Sequence, residues 1–547
     1  MAKRRVAVIG AGVCGLSSIK CCLDEGLEPT CFEQSGDIGG LWRFEEFPER
    51  DRASIYKSVI INSSKEMMCF SDFPIPAEFP NFMHNSKIME YFRMYAEHFD
   101  LLKYIHFKTT VVTVAKRLDF PITGQWDVVT ETEGKQESAI FDGVMVCTGH
   151  HTNAHLPLDS FPGIEKFTGR YFHSRDYKSP QEFSGKRAIV IGIGNSGADL
   201  AVELSHTAEQ VFLSTRQGAW IVKRTGEDGY PSDTAYITHY MEFLRCIVPL
   251  SLLNYLAEKK LNANFNHEIY GLQPRHRLII PSHPTVSDGL PNRIISGKVL
   301  VKPNIREFTN TGAIFEDGTR EEDIDVVVFA TGYSFSFPFL EDCIKVVENQ
   351  VSLYKYVFPP HLEKPTLVFI GLIQPLGSIM PIAELQGRWA TRVFKGLNQL
   401  PSASNMVADI TQKREEMAKR IHFRYVKSPR HTIQVDYIDY MDEVACLTGV
   451  KPSLLSLFLM DPKLALEVFF GPCTPYQYRL RGPGKWDGAR KAILTQRERI
   501  IKPLKTRAVG DYTHHTLGPY LFMIVCAITL FVIIFSYSLA PSLNGYI

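Results

Sequence analysis

Two glycine runs hold the residues most able to do chemistry. Val6-Ala-Val-Ile-Gly10-Ala-Gly-Val-Cys-Gly15 and Ala188-Ile-Val-Ile-Gly192-Ile-Gly-Asn-Ser-Gly197 repeat one pattern at an offset of 182 residues. Each places Gly-x-Gly-x-x-Gly directly after a short apolar run, the strand-then-helix context in which this spacing binds a dinucleotide. Gly10 and Gly192 permit the tight turn, and Gly12 and Gly194 let backbone approach a pyrophosphate. Gly15 and Gly197 let helix pack closely on strand. The helix that follows presents N–H groups and its positive dipole end to the phosphates. One ligand is expected around Gly10, Ala11, Gly12, Val13, Cys14 and Gly15. A second is expected around Gly192, Gly194, Asn195, Ser196, Gly197, Ala198 and Asp199.

The residues beyond each run separate the two ligands. Glu33 follows the next apolar strand, 18 residues past Gly15. A carboxylate there accepts hydrogen bonds from ribose hydroxyls and repels a 2′-phosphate. The equivalent strand of the second copy ends in Ser214, Thr215 and Arg216, with no acid. Hydroxyls and a guanidinium suit a 2′-phosphate. The first site therefore reads as one for FAD (or NAD), the second as one for NADPH. No nucleophile–His–acid set and no His-Glu-x-x-His stands in the chain, and no metal site is expected.

Two parallel sheets must position these residues. Asp142-Gly-Val-Met-Val-Cys-Thr-Gly149 and Asp325-Val-Val-Val-Phe-Ala-Thr-Gly332 form a second repeat, two apolar strands each ending in Thr-Gly. The expected fold is α/β, with two Rossmann-like dinucleotide-binding domains, one inserted in the other. The FAD domain takes residues 1–155 and 332–445, and the NADPH domain 156–331. Tyr240, Phe243, Leu244, Ile247, Leu250, Leu253 and Leu256 give a helical pattern inside about 230–290, interrupted by Pro249. That stretch reads as a helical insertion which covers the active site, touches a membrane or simply packs as a subdomain. The segment 446–511 has no assignable chemistry.

Over 547 residues, Lys plus Arg number 60 and Asp plus Glu 59, too balanced for a nucleic-acid partner. Eleven Cys without a Cys-x-x-Cys pair exclude a disulfide scaffold and a thioredoxin-type dithiol. Charge is absent only at the end: Tyr512–Ile547 contains no Asp, Glu, Lys or Arg. Within it, residues 520–539 are almost wholly apolar, enough for a helix to cross the roughly 30 Å hydrocarbon core. Seven basic residues and one acidic residue between Arg490 and Arg507 place the preceding body on the cytosolic side. Residues 512–547 thus read as a membrane-anchoring tail. The basic, apolar N-terminus fits a strand and glycine turn better than a signal peptide.

Phe167-x-Gly169-x-x-x-His173-x-x-x-Tyr177 resembles the identifying motif of the flavin-containing monooxygenases. Ala330-Thr-Gly-Tyr333 and Gly39-Gly40-Leu41-Trp42 match that family as well, and the likeness runs the length of the chain. The related motif of Baeyer–Villiger monooxygenases ends in Trp-Pro, whereas Tyr177-Lys178 stands here. His150-His-Thr-Asn-Ala-His155, Leu290-Pro-Asn-Arg-Ile-Ile-Ser296 and Gly371-Leu-Ile-Gln-Pro-Leu-Gly377 are similar to the vertebrate form-five branch.

The resemblance implies that NADPH reduces FAD, that O2 then gives a C4a-(hydro)peroxyflavin, and that this oxygenates a small lipophilic ketone, amine or thioether. Form five implies Baeyer–Villiger oxidation of ketones and aldehydes to esters, with weaker N- and S-oxygenation. The family position makes Asn62 the catalytic side chain, with Ser63 beside it. Gly40, Leu41, Trp42 and Gln374 are expected at the FAD. His173 is expected to orient the crossover between domains, and His283 lies in a loop able to approach substrate. Endoplasmic reticulum membrane is the location implied; homo-oligomerisation stays open. Competing readings are N/S-oxygenation of soft nucleophiles, an H2O2-producing NADPH oxidase, a pyridine nucleotide–disulfide oxidoreductase, and a non-catalytic nucleotide-binding scaffold. The disulfide reading needs a redox dithiol, and Cys21-Cys22 are adjacent within one expected helix.

Overall fold

The computed structural model describes residues 3–48, 52–226, 229–274, 284–422 and 432–507. Met1–Pro503 forms one compact unit. Ten short strands carry its two nucleotide-binding halves: β1 (Arg5–Ile9), β2 (Glu28–Phe32), β3 (Ile105–His106), β4 (Gly143–Val146), β5 (Arg170–His173), β6 (Arg187–Ile191), β7 (Gln210–Ser214), β8 (Val299–Lys302), β9 (Val326–Phe329) and β10 (Leu367–Phe369). They make two five-stranded sheets, ordered β10-β4-β1-β2-β3 and β5-β9-β6-β7-β8, and every neighbouring pair is parallel.

The sequence repeat is therefore a structural one. β1 lies between β2 and β4 just as β6 lies between β7 and β9. Each central strand is buried along Val6–Ile9 or Ala188–Ile191, as a parallel strand covered on both faces requires. The outer strands differ in origin. β10 reaches the first sheet only after the whole second sheet has been built, so the second nucleotide half is an insertion into the first.

Helix α1 (Val13–Asp24) leaves the first glycine turn and packs on α2 (Ile379–Phe394). Both are buried along most of their length, and α2 buries all but two of its residues, Glu384, Gln386 and Arg388 among them. Gly387 sits at their crossing, where an added Cβ would come within 3.2 Å of Cys21 Sγ.

The 230–290 stretch contains the helices His239–Ile247 and Leu250–Asn262, separated at Pro249. Thr238 caps the first, its Oγ1 accepting from Met241 N–H at 3.1 Å. That helix packs through Tyr240 and Phe243 against Phe469 and Phe470, in the helix Pro462–Phe470. Ile247, Leu250 and Tyr255 in this pair of helices, and Leu459 and Met460 just before Pro462–Phe470, are exposed. Among the described residues no helix is long and apolar enough to cross a membrane. The expected tail at 512–547 and His283 both lie outside the described residues.

Candidate active site

The two glycine turns have the same geometry. Gly10 and Gly192 adopt φ of +99° and +106°, which a side chain would strain. A Cβ on Gly15 would stand 1.9 Å from the Gly10 carbonyl oxygen, and one on Gly197 would stand 1.9 Å from that of Gly192. No larger residue fits either place. No side chain caps α1 or the helix Asn195–Leu204 at its N-terminus, and Gly194 faces open space. A pyrophosphate fits this arrangement, because uncapped helix N–H groups need an acceptor.

Around the first turn the expected residues converge. Gly39 N–H donates to the Ala11 carbonyl at 3.1 Å, and Gly40 lies against Gly12, folding the Gly40–Trp42 turn onto the nucleotide loop. Glu33 is buried at the end of β2. Its Oε2 accepts from Ala11 N–H at 2.7 Å, and its Oε1 from the Ser35 N–H and hydroxyl at 2.9 and 2.6 Å. A carboxylate has about four acceptor positions, so Oε2 keeps one for a ribose hydroxyl. Gly371 touches Cys14 from the returning half, where a Cβ would meet its Sγ at 2.3 Å. Gln374 follows, half-buried, in the short strand Gln374–Leu376. Val13, Cys14 and Leu41 complete the surroundings, and burial pushes the Cys14 thiol up to about 12, which keeps it inert.

The second turn meets its expectation unevenly. Arg216 is exposed beyond the end of β7, and Thr215 Oγ1 accepts from Gly218 N–H at 3.0 Å. Ser214 differs from the expected hydroxyl pair: it is buried, and its hydroxyl donates to the Pro303 carbonyl at 2.9 Å. Asn195 Oδ1 accepts from Val286 N–H at 2.9 Å, tying the helix start to the chain leaving the insertion. Ser196 is exposed and Ala198 buried. Asp199 accepts from the Tyr56 hydroxyl, and burial raises its carboxyl to about 6 against the lowering effect of Tyr56 and Arg224.

Asn62 is half-buried. Its Oδ1 accepts from Arg224 Nη2 at 2.7 Å, and Arg224 Nη1 pairs with Asp288 at 2.8 Å. Ser63 is half-buried beside it, and Ser64 N–H donates to Asp233 Oδ2 at 2.6 Å. Burial pushes the Asp233 carboxyl up to about 6. Arg224, Asp288 and Asp233 escaped the sequence reading because a lone charged residue carries no mark of its partner.

The described part of the segment 446–511, up to residue 507, bonds to the chain that follows Asn62. The helix Lys65–Met68 starts just after Ser64, and its Glu66 is fully buried. Tyr476 donates to Glu66 Oε2 at 2.8 Å, and Arg499 pairs with Oε1 at 3.0 Å. Arg479 bridges Glu384 at 2.6 Å and Asp72 at 2.9 Å, and donates to Ser71 Oγ at 2.6 Å. These ionic contacts fix residues 64–72 from below.

His173 serves the crossover. Its Nδ1 accepts from Arg175 N–H at 3.2 Å, which assigns the proton to Nε2, and Nε2 donates to the Gly332 carbonyl at 2.9 Å. Tyr333 packs edge-on against His173 and tilted against His151. All ten described cysteines are free.

A family model described as flavin-binding monooxygenase-like matches residues 3–538. The chain belongs to that family. It is 65% identical over 537 residues to flavin-containing monooxygenase 5 of Homo sapiens, covering 98% of this chain and all of that one. It is 59% identical to dimethylaniline monooxygenase [N-oxide-forming] 2 of Mus musculus, over 92% of this chain and 94% of that one. Among solved structures, the S-allyl-L-cysteine S-oxygenase of Allium sativum superposes with a TM-score of 0.63 at 24% identity, over 92% of this chain and 99% of that one. The family is an oxidoreductase family, and its flavin accounts for the absence of a protein nucleophile noted in the sequence.

Proposed function

We propose that this protein is an FAD- and NADPH-dependent monooxygenase that converts small lipophilic ketones and aldehydes to esters by Baeyer–Villiger oxidation, with weaker oxygenation at nitrogen and sulfur. One observation carries the reading. Asn62 of the first half accepts a hydrogen bond from Arg224 of the second, and each half carries a glycine turn, the first bonded to the Glu33 carboxylate and the second followed at the next strand end by Thr215 and the Arg216 guanidinium. Glu33 suits a ribose without 2′-phosphate, as in FAD, and Arg216 suits the 2′-phosphate of NADPH. When bound, the nicotinamide supplies the hydride and the flavin supplies the activation of O2.

The chain's own residues orient the partners and hold charge. Asn62 presents a side-chain amide able to donate and accept without titrating. Its oxygen accepts from Arg224, which leaves the amide N–H group as the part that would donate to a reacting oxygen. The Arg224 cation favours an anion developing beside it. A ketone must be attacked by an anionic oxygen nucleophile, whereas an amine or thioether attacks a protonated, electrophilic one. The guanidinium and the form-five likeness therefore favour the ketone reaction. The second reading, N/S-oxygenation, draws on the relative of Mus musculus whose name describes N-oxide formation.

The location is part of the proposal. A charge-free tail at 512–547 follows a basic collar, and the apolar surface around Ile247, Leu250, Leu459 and Met460 offers contact with lipid. Both favour a body on the cytosolic face of the endoplasmic reticulum, anchored through its C-terminus.

The deciding experiment purifies the full chain in detergent, records its flavin spectrum, and compares a linear ketone with a tertiary amine by product analysis. Ester formation exceeding N-oxide formation supports the proposal. Dominant N-oxide moves the assignment to the second reading. NADPH consumption that yields only H2O2 reduces it to an oxidase, and absence of flavin refutes it.

A further inference from the structure

The stretch from Arg52 to Ser64 belongs by chain position to the first nucleotide half, which bonds it through Met83 and Asn85 at Ile61, Val59 and Lys57, and the second half grips it as well. Two of its hydroxyls reach one face of the helix Asn195–Leu204: Tyr56 donates to Asp199, and Ser58 donates to Glu203 at 2.7 Å. Positions 199 and 203 are one turn apart and therefore neighbours on the helix surface. The Tyr56 ring is packed edge-on against Tyr177, with centroids 6.0 Å apart, so the hydroxyl has little freedom to leave Asp199. Lys57 N–H donates to the Lys178 carbonyl at 3.0 Å, which fixes the backbone between the two hydroxyls.

The same helix begins at the second glycine turn. Asp199 is four residues from Asn195, about 6 Å along the axis at the usual helical rise. A ligand gripped by the N-terminal N–H groups therefore acts on the rigid element to which Tyr56 is bound. Six residues after Tyr56 stands Asn62.

We propose that Tyr56 and Asp199 form a latch through which a dinucleotide bound at the second glycine turn sets the position of Asn62. Tyr56 is then a positioning residue: it touches neither cofactor nor substrate. The latch rests on the reading that the second turn binds NADPH. It makes the Asn62 strap firm when the nicotinamide dinucleotide is in place and looser when it is not.

The test uses the full-length flavin-loaded protein and hydrogen exchange of peptides spanning residues 52–64, with and without NADP+. In the wild type, NADP+ slows exchange at the Lys57 and Ser64 amides. Tyr56→Phe keeps the ring and removes only the hydroxyl, and losing a hydrogen bond to a charged acceptor weakens that protection roughly tenfold. Asp199→Asn retains an acceptor for the hydroxyl and preserves most of the protection, whereas Asp199→Ala behaves like Tyr56→Phe. Flavin content and melting temperature of Tyr56→Phe match the wild type, and its H2O2 released per NADPH rises. Protection by NADP+ that is equal in wild type and Tyr56→Phe overturns the latch, and so does a loss of protection accompanied by loss of flavin. Calorimetry separates the two levels: a wild type that binds no NADP+ refutes the functional reading, while normal binding with unchanged protection refutes the latch alone.

Discussion

Removing the charge of Arg479 should loosen the base on which Asn62 stands. Arg479 and Glu384 have side chains only 3% and 1% exposed, 2.6 Å apart, and Asp72 joins them at 2.9 Å. Burial pushes Glu384 up, but the cations of Arg479, Arg388 and Lys20 outweigh it and hold the carboxyl below its usual value. Arg479→Met keeps the apolar stem and takes from Glu384 its direct ion-pair partner, while Asp72 keeps its pair with Lys20 at 2.5 Å. Breaking one partner out of a buried pair costs about 3–5 kcal/mol. At about 2.1 cal/mol/K per residue, a compact unit ending at Pro503 unfolds with an entropy of about 1 kcal/mol/K. The melting temperature at pH 7.5 should fall by about 3–5 °C. The sign with pH is distinctive. In the wild type a depressed Glu384 contributes stability that is present above its unfolded value and lost as pH falls through the folded one. In Arg479→Met the carboxyl has lost its main counter-charge, so burial raises it and protonation relieves the cost. The gap to wild type should therefore narrow between pH 8 and pH 5.5, and Arg479→Met/Glu384→Gln should recover part of the loss. Differential scanning fluorimetry on the flavin-loaded chain measures this. A melting temperature within 1 °C of wild type at pH 7.5 (the resolution of that assay is of this order), or a gap that widens toward acid, refutes the argument.

Four further outcomes follow from the site. Asn62→Ala should retain flavin and raise H2O2 per NADPH oxidised, read by peroxide assay against NADPH absorbance; unchanged coupling counts against a role for its amide. Gly15→Ala should abolish the flavin spectrum, whereas Gly197→Ala should keep flavin and lose NADP+ binding in calorimetry, since each Cβ meets only its own turn at 1.9 Å. Arg216→Ala should shift the NADPH-over-NADH affinity ratio by about tenfold, the worth of a charge-assisted hydrogen bond, and an unchanged ratio would remove Arg216 from the phosphate site. Truncation after residue 511 should release the body from carbonate-washed membranes, and persistent pelleting would assign the attachment to the apolar surface of the insertion.

The parts of the site that were legible in the chain are those encoded locally. Three glycines at fixed spacing after an apolar run specify a turn whose geometry admits no side chain, and Gly15 and Gly197 stand in equivalent contacts. Glu33 was placed by its distance from that turn and lies on it, bonded to Ala11. Ser214 shows the limit of the same reasoning. Spacing put it beside Thr215 and Arg216, but the direction of a side chain at a strand end depends on the neighbouring chain. Here Pro303, beyond β8, supplies the carbonyl that turns Ser214 inward. The segment 446–511 was mute for a related reason. Tyr476, Arg479 and Arg499 act through Glu66, Glu384 and Asp72, and a charge does not record which opposite charge it will meet.

By itself the sequence determined two glycine turns, the acid that lies against the first of them, the repeat of strands around them, and a tail without charge. Each is a pattern within a few residues, where backbone geometry and hydrophobic periodicity dictate the outcome. Only the tertiary structure decided that Arg224 holds Asn62 across 162 residues, that Tyr56 reaches Asp199 across 143, and that Tyr476 props Glu66 across 410. Such contacts arise from how two nucleotide halves and a C-terminal buttress close around one strap. Their energy depends on distance and burial, which exist only once the chain is folded.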